Sequence, residues 1–166
     1  MKKKIAPKKK LTRVEKKILI CKDVLKHLKA NKIKEKRRNT YLVVPQAITF
    51  FNKNNMDYEN PEKISLQNIL KETIKKCTVC ALGAMLYSHV IRNNKYNVSP
   101  FDFTSNNTLE CLPNAPYSSP LTKIFSVNEL DNIEARFEYD KESVEEIMKD
   151  IIKNNGRVKI CKMLWV

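Results

Sequence analysis

The sequence is poor in glycine, with only Gly83 and Gly156 among its 166 residues. Glycine most readily adopts the positive φ of tight hairpin turns, so its scarcity disfavours a fold built from many β-hairpins. The dinucleotide-binding and P-loop motifs both need clustered glycines, which let the backbone approach a phosphate closely. The two isolated glycines therefore exclude both motifs.

The sequence also lacks a long apolar run. No stretch of 18 or more apolar residues occurs, so no membrane-spanning helix is expected. The early segment KKILICKDVL, residues 16–25, is interrupted by charges every few positions and is not the core of a signal peptide. We therefore expect a cytoplasmic protein with no membrane contact, whose five cysteines stay reduced.

Acidic residues are scarce at the front of the chain. Residues 1–40 contain 17 lysines and arginines but only three acids, and their net charge of +14 equals that of the whole chain. Six lysines in the first ten residues repel one another and have little to bury, so residues 1–10 are expected to form a flexible basic arm. Because 42% of the residues are hydrophobic, residues 11–166 can bury the core of a single domain.

Two helices are predicted in the first half of the chain. Thr12 and Glu15 have the spacing of a capping box, which marks a helix start. A helical apolar stripe follows, made of Leu11, Val14, Ile18, Cys21, Leu25 and Leu28. A second helix is predicted from a cap at Ser65 to about Ile91, and its nearly all-apolar middle should make it the most buried helix.

Two more helices are predicted near the C-terminus. Ser126 and Glu129 have capping-box spacing, and Phe125 and Leu130 have the spacing of a hydrophobic staple. The last helix is predicted over about residues 141–154, with Gly156 just past its end as a stop signal.

Strand signals are fewer. The best candidate is TYLVVPQAITFF, residues 40–51, in which Pro45 limits any strand to an edge piece or to two short segments. Residues 157–166 could form a strand or an extended tail in which Trp165 packs. We thus predict a mainly α fold, a compact helical domain of about four helices with one or two short strands and a basic N-terminal arm.

The segment KKCTVCALGAML, residues 75–86, contains two cysteines with motif spacing. A redox pair usually begins a helix, where the dipole lowers a thiol pKa, but the apolar pattern puts this pair in mid-helix. A zinc site needs four ligands, and the other candidates are scattered singly: Cys21, Cys111, Cys161, His27 and His89. We therefore expect no metal or cofactor and predict structural core residues on a thin helix face that another helix approaches closely: Cys77, Cys80, Ala81, Gly83 and Ala84.

No catalytic motif is identified, so no catalytic residue is assigned. A nucleophile pair of Cys80 or Cys111 with His89 stays open, because such partners need be adjacent only in space. Glu134 lies beside an apolar stripe and is interpreted as a partly buried acid in a structural ion pair rather than as a general acid.

The basic front offers a set of candidate contacts to nucleic acid or to an acidic protein surface. Lysines contact phosphates without reading bases, so such binding would be non-specific and strongly salt-dependent. The alternative is that these residues only keep the chain soluble. The set consists of Lys2, Lys3, Lys4, Lys8, Lys9, Lys10, Arg13, Lys34, Lys36, Arg37 and Arg38.

Two further segments bear on partners. Residues 129–150 carry a net charge of −6, and they could neutralise the basic front within one chain or between two copies in a homo-oligomer. Residues 93–120 are predicted to form a long irregular connection, and loops of such length are often functional. This loop offers a second route to a protein partner.

Several phrases occur in order along the chain: KDVLKHL (22–28), TYL (40–42), CTVCALGAMLYSHV (77–90), FSVNELDNIEARFE (125–138) and IMKDIIKNNG (147–156). Together they resemble a family of small uncharacterised proteins found in bacteria, their phages and plasmids. The CxVCAxGA-type phrase is the most specific part, and the first ten residues lie outside the resemblance. It implies a helical domain of bacterial or mobile-element origin, hence the cytoplasm of a bacterial host, and it brings no established reaction.

The predicted function is that of a non-enzymatic phage or mobile-element accessory protein. It would act by binding, with the basic N-terminal region on nucleic acid or on an acidic protein surface. One alternative is a protein–protein interaction module that binds or inhibits a host or defence component. The other alternative is a small cysteine- or metal-dependent enzyme.

Overall fold

The computed structural model describes residues 10–37, 41–54, 63–73, 75–93, 96–109 and 120–162. The prediction of a mainly helical fold is confirmed, but these ranges contain six α-helices rather than about four. The helices are α1 Arg13–Lys29, α2 Ala47–Lys53, α3 Leu66–Glu72, α4 Ala81–Asn93, α5 Val127–Glu138 and α6 Val144–Lys153. Two short 3-10 helices cover Pro100–Asp102 and Pro120–Lys123.

The expectation of one or two strands was too low. The described residues include β1 Ile33–Glu35, β2 Leu42–Val43, β3 Ile64–Ser65, β4 Cys77–Val79, β5 Asn97–Val98 and β6 Thr108–Leu109. Four strands form a sheet in the order β1-β4-β2-β6, in which β1 is parallel to β4 and the other neighbours are antiparallel. The strands β3 and β5 form a separate antiparallel pair. Strands of two or three residues are too short to show the alternation that reveals a strand in a sequence.

The predicted second helix is divided by a strand. The chain forms α3, then crosses the sheet as β4, and then forms α4. The prediction of one helix from Ser65 to Ile91 was therefore wrong. The segment Cys77–Val79 is hydrogen-bonded between β1 and β2, and this pairing outweighs the helical apolar pattern. The buried part of the prediction holds, since every residue from Ala81 to Ser88 is buried and α4 packs against α1, α3 and α5.

Gly83 lets α4 lie directly on the sheet. A Cβ atom at Gly83 would be 1.7 Å from the carbonyl oxygen of Tyr41, the residue just before β2. The same oxygen accepts the Cys80 backbone N–H at 3.1 Å. At Gly83 the small-residue face therefore meets the backbone just before β2, whereas the sequence predicted that another helix would approach this face closely.

The segment around Pro45 forms one short strand followed by a helix. The strand β2 lies between β4 and β6, so the prediction of an edge piece was wrong. Pro45 comes after the strand has ended and before α2 begins, where no ladder hydrogen bond needs its missing N–H. Residues 157–161 form neither helix nor strand, Cys161 is buried, and Trp165 lies outside the described residues.

Helix α1 begins as predicted, because Thr12 and Glu15 form the capping box. Its apolar stripe is rotated from the predicted one, since Leu11 and Val14 are about 40% exposed. The buried face consists of Lys17, Ile20, Cys21 and Val24. Lysine is accommodated there because its amino group pairs with Glu129 and lies 5.4 Å from the centre of the Phe125 ring.

The C-terminal helices begin and end where local signals place them. The Ser126–Glu129 capping box is confirmed, and Phe125 and Leu130 of the predicted staple are both buried. Gly156 follows α6 with a φ of 80°, as expected of a stop glycine. Helix α6 starts at a capping box that the sequence analysis overlooked, formed by Ser143 and Glu146.

The basic and acidic segments meet within one chain. Helix α1 packs on α6, and Lys17 pairs with Glu129. The Glu35 carboxylate accepts the Val144 backbone N–H at 2.9 Å, at the start of α6. Part of the positive charge of the front is thus neutralised internally. No helix in the described ranges has the length and apolar character that crossing a membrane requires.

Candidate functional site

A cleft of about 610 Å³ opens between the C-terminal end of α1, the end of α3 and the entry to β4. We call it the basic cleft, because none of its described lining residues is acidic and four are lysines. Its charged or ionisable rim consists of His27, Lys32, Lys71, Lys75 and Lys76. Its other lining residues are Ala30, Asn31, Leu70, Thr73, Cys77, Tyr87 and Ile91.

The sheet register brings two of the lysines together. The parallel pairing of β1 with β4 places Ile33 opposite Cys77, and the Cys77 N–H donates to the Lys32 carbonyl at 3.1 Å. One residue earlier, Lys32 is therefore level with Lys76, and both are exposed. Like charges on adjacent strands repel each other unless an anion lies between them. This pair gives the rim its highest density of positive charge.

The turn after α1 positions Lys32. Asn31 adopts a φ of 58°, and the Lys32 N–H donates to the His27 carbonyl at 3.0 Å. Asparagine tolerates the left-handed conformation better than most residues, so it suits this position. The chain reverses there and enters β1, with Lys32 left at the mouth of the cleft.

The floor of the cleft is neutral. Burial raises the pKa of the Cys77 thiol to about 12, and burial also raises the pKa of the Tyr87 hydroxyl to about 12. Burial lowers the pKa of His27, whose ring meets the Tyr87 ring edge-on at 5.1 Å. Because neither the thiol nor the phenol is ionised at neutral pH, these two side chains do not offset the charge of the lysines.

A carboxylate whose charge acts on His27 is already paired. Asp23 accepts two hydrogen bonds from the Arg92 guanidinium, at 2.5 and 2.6 Å. A two-point pair of this kind fixes both side chains and cancels their charges. The charge of Asp23 beside the basic cleft is therefore largely offset by that of Arg92.

The two motif cysteines lie at a strand-to-helix junction. Cys77 begins β4 and Cys80 directly precedes α4, so their predicted mid-helix position was wrong. The Cys80 sulfur accepts the Gly83 backbone N–H at 3.4 Å, and burial raises the pKa of the Cys80 thiol well above its ordinary value. A buried neutral thiol is a poor nucleophile and a poor metal ligand. All five predicted core residues, Cys77, Cys80, Ala81, Gly83 and Ala84, are buried.

Glu134 lies beside Cys80 rather than beside a base. Its carboxylate accepts the Leu82 backbone N–H at 3.4 Å and a hydrogen bond from the Cys80 thiol. Burial raises the pKa of Glu134 to about 6. Among the described residues this carboxylate has no basic partner, and it instead accepts the Leu82 N–H at the start of α4.

The open question of a cysteine–histidine pair has a partial answer. His89 hydrogen-bonds through its ring to the Asn93 side chain at 3.2 Å, whereas Cys80 bonds to Gly83 and Glu134. Cys111 lies outside the described residues. Within the ranges that are described, no group of three His, Cys, Asp or Glu side chains could hold a metal ion, and the four cysteines there are free and buried.

The predicted N-terminal contact set is divided by the structure. Arg37 caps the end of α5 by donating to the backbone carbonyls of Phe137, Lys141 and Glu142 at 2.8–3.1 Å. Arg13 donates to the Ile124 carbonyl at 2.7 Å. These two arginines therefore have structural partners, while Lys10, Lys34 and Lys36 are exposed. The remaining members, Lys2, Lys3, Lys4, Lys8, Lys9 and Arg38, lie outside the described residues.

The sequence analysis missed the lysines of the basic cleft. Lys75 and Lys76 precede the cysteine pair, Lys71 lies one helical turn before them in sequence, and Lys32 is far away in the chain. Only the short run of lysines in residues 71–76 was visible as a signal. The parallel β1–β4 pairing that completes the cluster has no local sequence mark.

No family model, no curated protein and no solved structure matches this chain. The resemblance to small proteins of bacteria, phages and plasmids therefore stays a prediction. In the described residues, the fold and the site define a mainly helical domain with a small mixed sheet and a basic cleft.

Proposed function

We propose that this protein binds nucleic acid, without catalysing a reaction, through phosphate contacts in the basic cleft. The observation that supports this proposal is the convergence of four lysines around one cleft whose described lining has no acid. Lysine ammonium groups act as point charges toward phosphates and carry no base specificity. The expected binding is therefore broad in sequence preference and steeply dependent on salt.

The exposed lysines next to the cleft extend the same surface. Lys34 lies in the middle of β1, Lys32 and Lys36 directly flank the strand, and all three are exposed. Alternate residues of a strand lie on the same face of a sheet, so these lysines form a row leading away from the cleft. In this proposal the N-terminal lysines 2–10 are accessory contacts. A role as a phage or mobile-element accessory protein rests on the resemblance alone.

The test compares two variants with the same charge. Lys71, Lys75 and Lys76 are replaced together by Gln in the first variant, and Lys22, Lys63 and Lys153 in the control. Binding of labelled single-stranded DNA and RNA is measured at several salt concentrations. The salt slope is the steepness with which the logarithm of the binding constant falls with the logarithm of the salt concentration. Each lost phosphate contact lowers this steepness by about 0.7 for a single strand, so the slope of the cleft variant should be smaller by up to about 2.

The control variant should keep the wild-type slope, because its lysines are exposed but do not line the cleft. Equal losses in the two variants would show that only total charge matters, and the cleft proposal would then be wrong. A chain starting at Leu11 separates the contribution of the arm. If it retains most of the slope, the cleft rather than the arm carries the phosphate contacts.

A second candidate is binding of a protein partner through residues 93–120. Phe101 favours it, because this large apolar side chain is 63% exposed within that segment. Residues 110–119 of the same segment lie outside the described residues. An absence of any nucleic-acid binding at low salt would leave this candidate as the preferred function.

A further inference from the structure

A second, smaller cleft adjoins the basic cleft. It has a volume of about 170 Å³ and lies between α2 and α3. Thr73 lines both clefts, and Lys71 and Glu72 just before it line the basic and the small cleft respectively. The end of α3 is therefore the common wall, and a flexible ligand can cross it from one cleft to the other.

The small cleft combines an aromatic side chain with a polar rim. Phe50 is half-buried in it and packs edge-on against Phe51, with ring centres 6.0 Å apart. Gln46, Thr49 and Glu72 are exposed at its edge. Their amide, hydroxyl and carboxylate groups provide both donors and acceptors of hydrogen bonds.

Gln46 is available for such contacts. It precedes α2 in a left-handed conformation with a φ of 69°, and its side chain does not cap the helix. The cleft volume of about 170 Å³ is below the roughly 300 Å³ at which pockets for drug-sized ligands begin. A single ring system fits these dimensions better than a whole nucleotide does.

We propose that the nucleic acid bound by this protein is single-stranded, with one unstacked base held in the small cleft against Phe50. The neighbouring phosphates then lie on the lysines of the basic cleft. Bases of a duplex are stacked and paired, so their faces are closed to such a contact, whereas an aromatic side chain can stack on any base of a single strand. This inference rests on the proposed function and names its ligand class.

The test uses three probes with the same total number of phosphates: a short labelled single-stranded oligonucleotide, a blunt duplex of half its length and linear polyphosphate. Phe50→Leu keeps the apolar bulk but removes the ring, and it should raise the Kd for the single strand about ten-fold. The Kd for polyphosphate should stay unchanged. Phe101→Leu is the matched control, because this exposed aromatic side chain lines neither cleft, and it should leave both affinities unchanged.

A second variant protects the test against misfolding of Phe50→Leu. Thr49 is exposed, so Thr49→Met should leave the fold intact while its longer side chain fills the small cleft. It should cause a similar loss toward the single strand alone. If wild type binds the single strand, duplex and polyphosphate equally, and neither variant changes this, the base-binding inference is overturned while phosphate binding stands. If wild type binds none of the probes, the proposed function fails as well.

Discussion

Replacing Gly83 with alanine should destabilise the protein, although alanine is the better helix former. The added Cβ would lie 1.7 Å from the Tyr41 carbonyl oxygen and 2.7 Å from its carbonyl carbon, whereas ordinary contact begins at 3.4 Å. Both partners are backbone atoms, so no side-chain rotation relieves the clash. Helix α4 and the chain before β2 must move apart.

The expected cost follows from this separation. Overpacking of a well-packed core costs about 1–3 kcal/mol, and a backbone clash belongs at the upper end. The Cys80 N–H bond to the Tyr41 oxygen, at 3.1 Å, would also be broken, at about 1 kcal/mol. The higher helix propensity of alanine stabilises the folded state by about 1 kcal/mol and offsets part of this cost. The net loss is about 3 kcal/mol, a large share of the roughly 5–15 kcal/mol that stabilises a typical domain.

Chemical denaturation measures this loss, and Ser88→Ala in the same helix is the control. The Ser88 hydroxyl is buried and has no hydrogen-bond partner among the described residues. Its removal should leave the free energy of unfolding unchanged or raise it by up to about 1 kcal/mol. A Gly83→Ala variant as stable as wild type would refute the close approach of α4 to the Tyr41 backbone.

Two further substitutions test buried charges. Burial raises the pKa of Glu134 from 4.5 to about 6, so the folded state binds more protons than the unfolded state between these values. Because of Glu134, the free energy of unfolding therefore falls by about 2 kcal/mol as the pH rises through this window. Urea titrations at several pH values should show that this fall is absent in Glu134→Gln. Arg136 is 3% exposed and pairs with Glu142 at 2.6 Å and with Asp150 at 3.1 Å. Arg136→Met leaves both carboxylates without this cation, but Asp150 keeps its Lys159 partner and Glu142 is 30% exposed. The expected cost in the same assay is therefore about 1.5–3 kcal/mol, whereas a loss below about 0.5 kcal/mol would show that water satisfies them.

The features that sequence analysis predicted correctly are local. The capping boxes at Thr12 and Ser126 depend on residues three positions apart, and both formed as expected. The stop glycine Gly156 acts within one turn of its helix. Signals of this kind need no knowledge of the rest of the fold, which explains their success.

The missed features depend on distant pairing. The strand β4 is held between β1 and β2, which come from a part of the chain more than thirty residues earlier. A three-residue strand in that position forms its backbone hydrogen bonds with those two neighbours. Its own sequence can therefore keep a helical apolar pattern. The position of Cys77 and Cys80 was misjudged for this reason. Their interpretation as core residues rested partly on that misjudged position and partly on the scattered zinc candidates, and both are buried.

Distant pairing also divides the predicted set of basic contact residues. A count of charges along the chain assigned the whole excess to residues 1–40 and treated its arginines and lysines alike. Folding divides that set, because Arg13 and Arg37 bind backbone carbonyls of the C-terminal half. It also brings Lys32 level with Lys76, across a parallel strand pair. The net charge of a segment therefore predicts a basic binding surface only where that segment does not pack against an oppositely charged part of the same chain. Here residues 13–37 pack against residues 129–150.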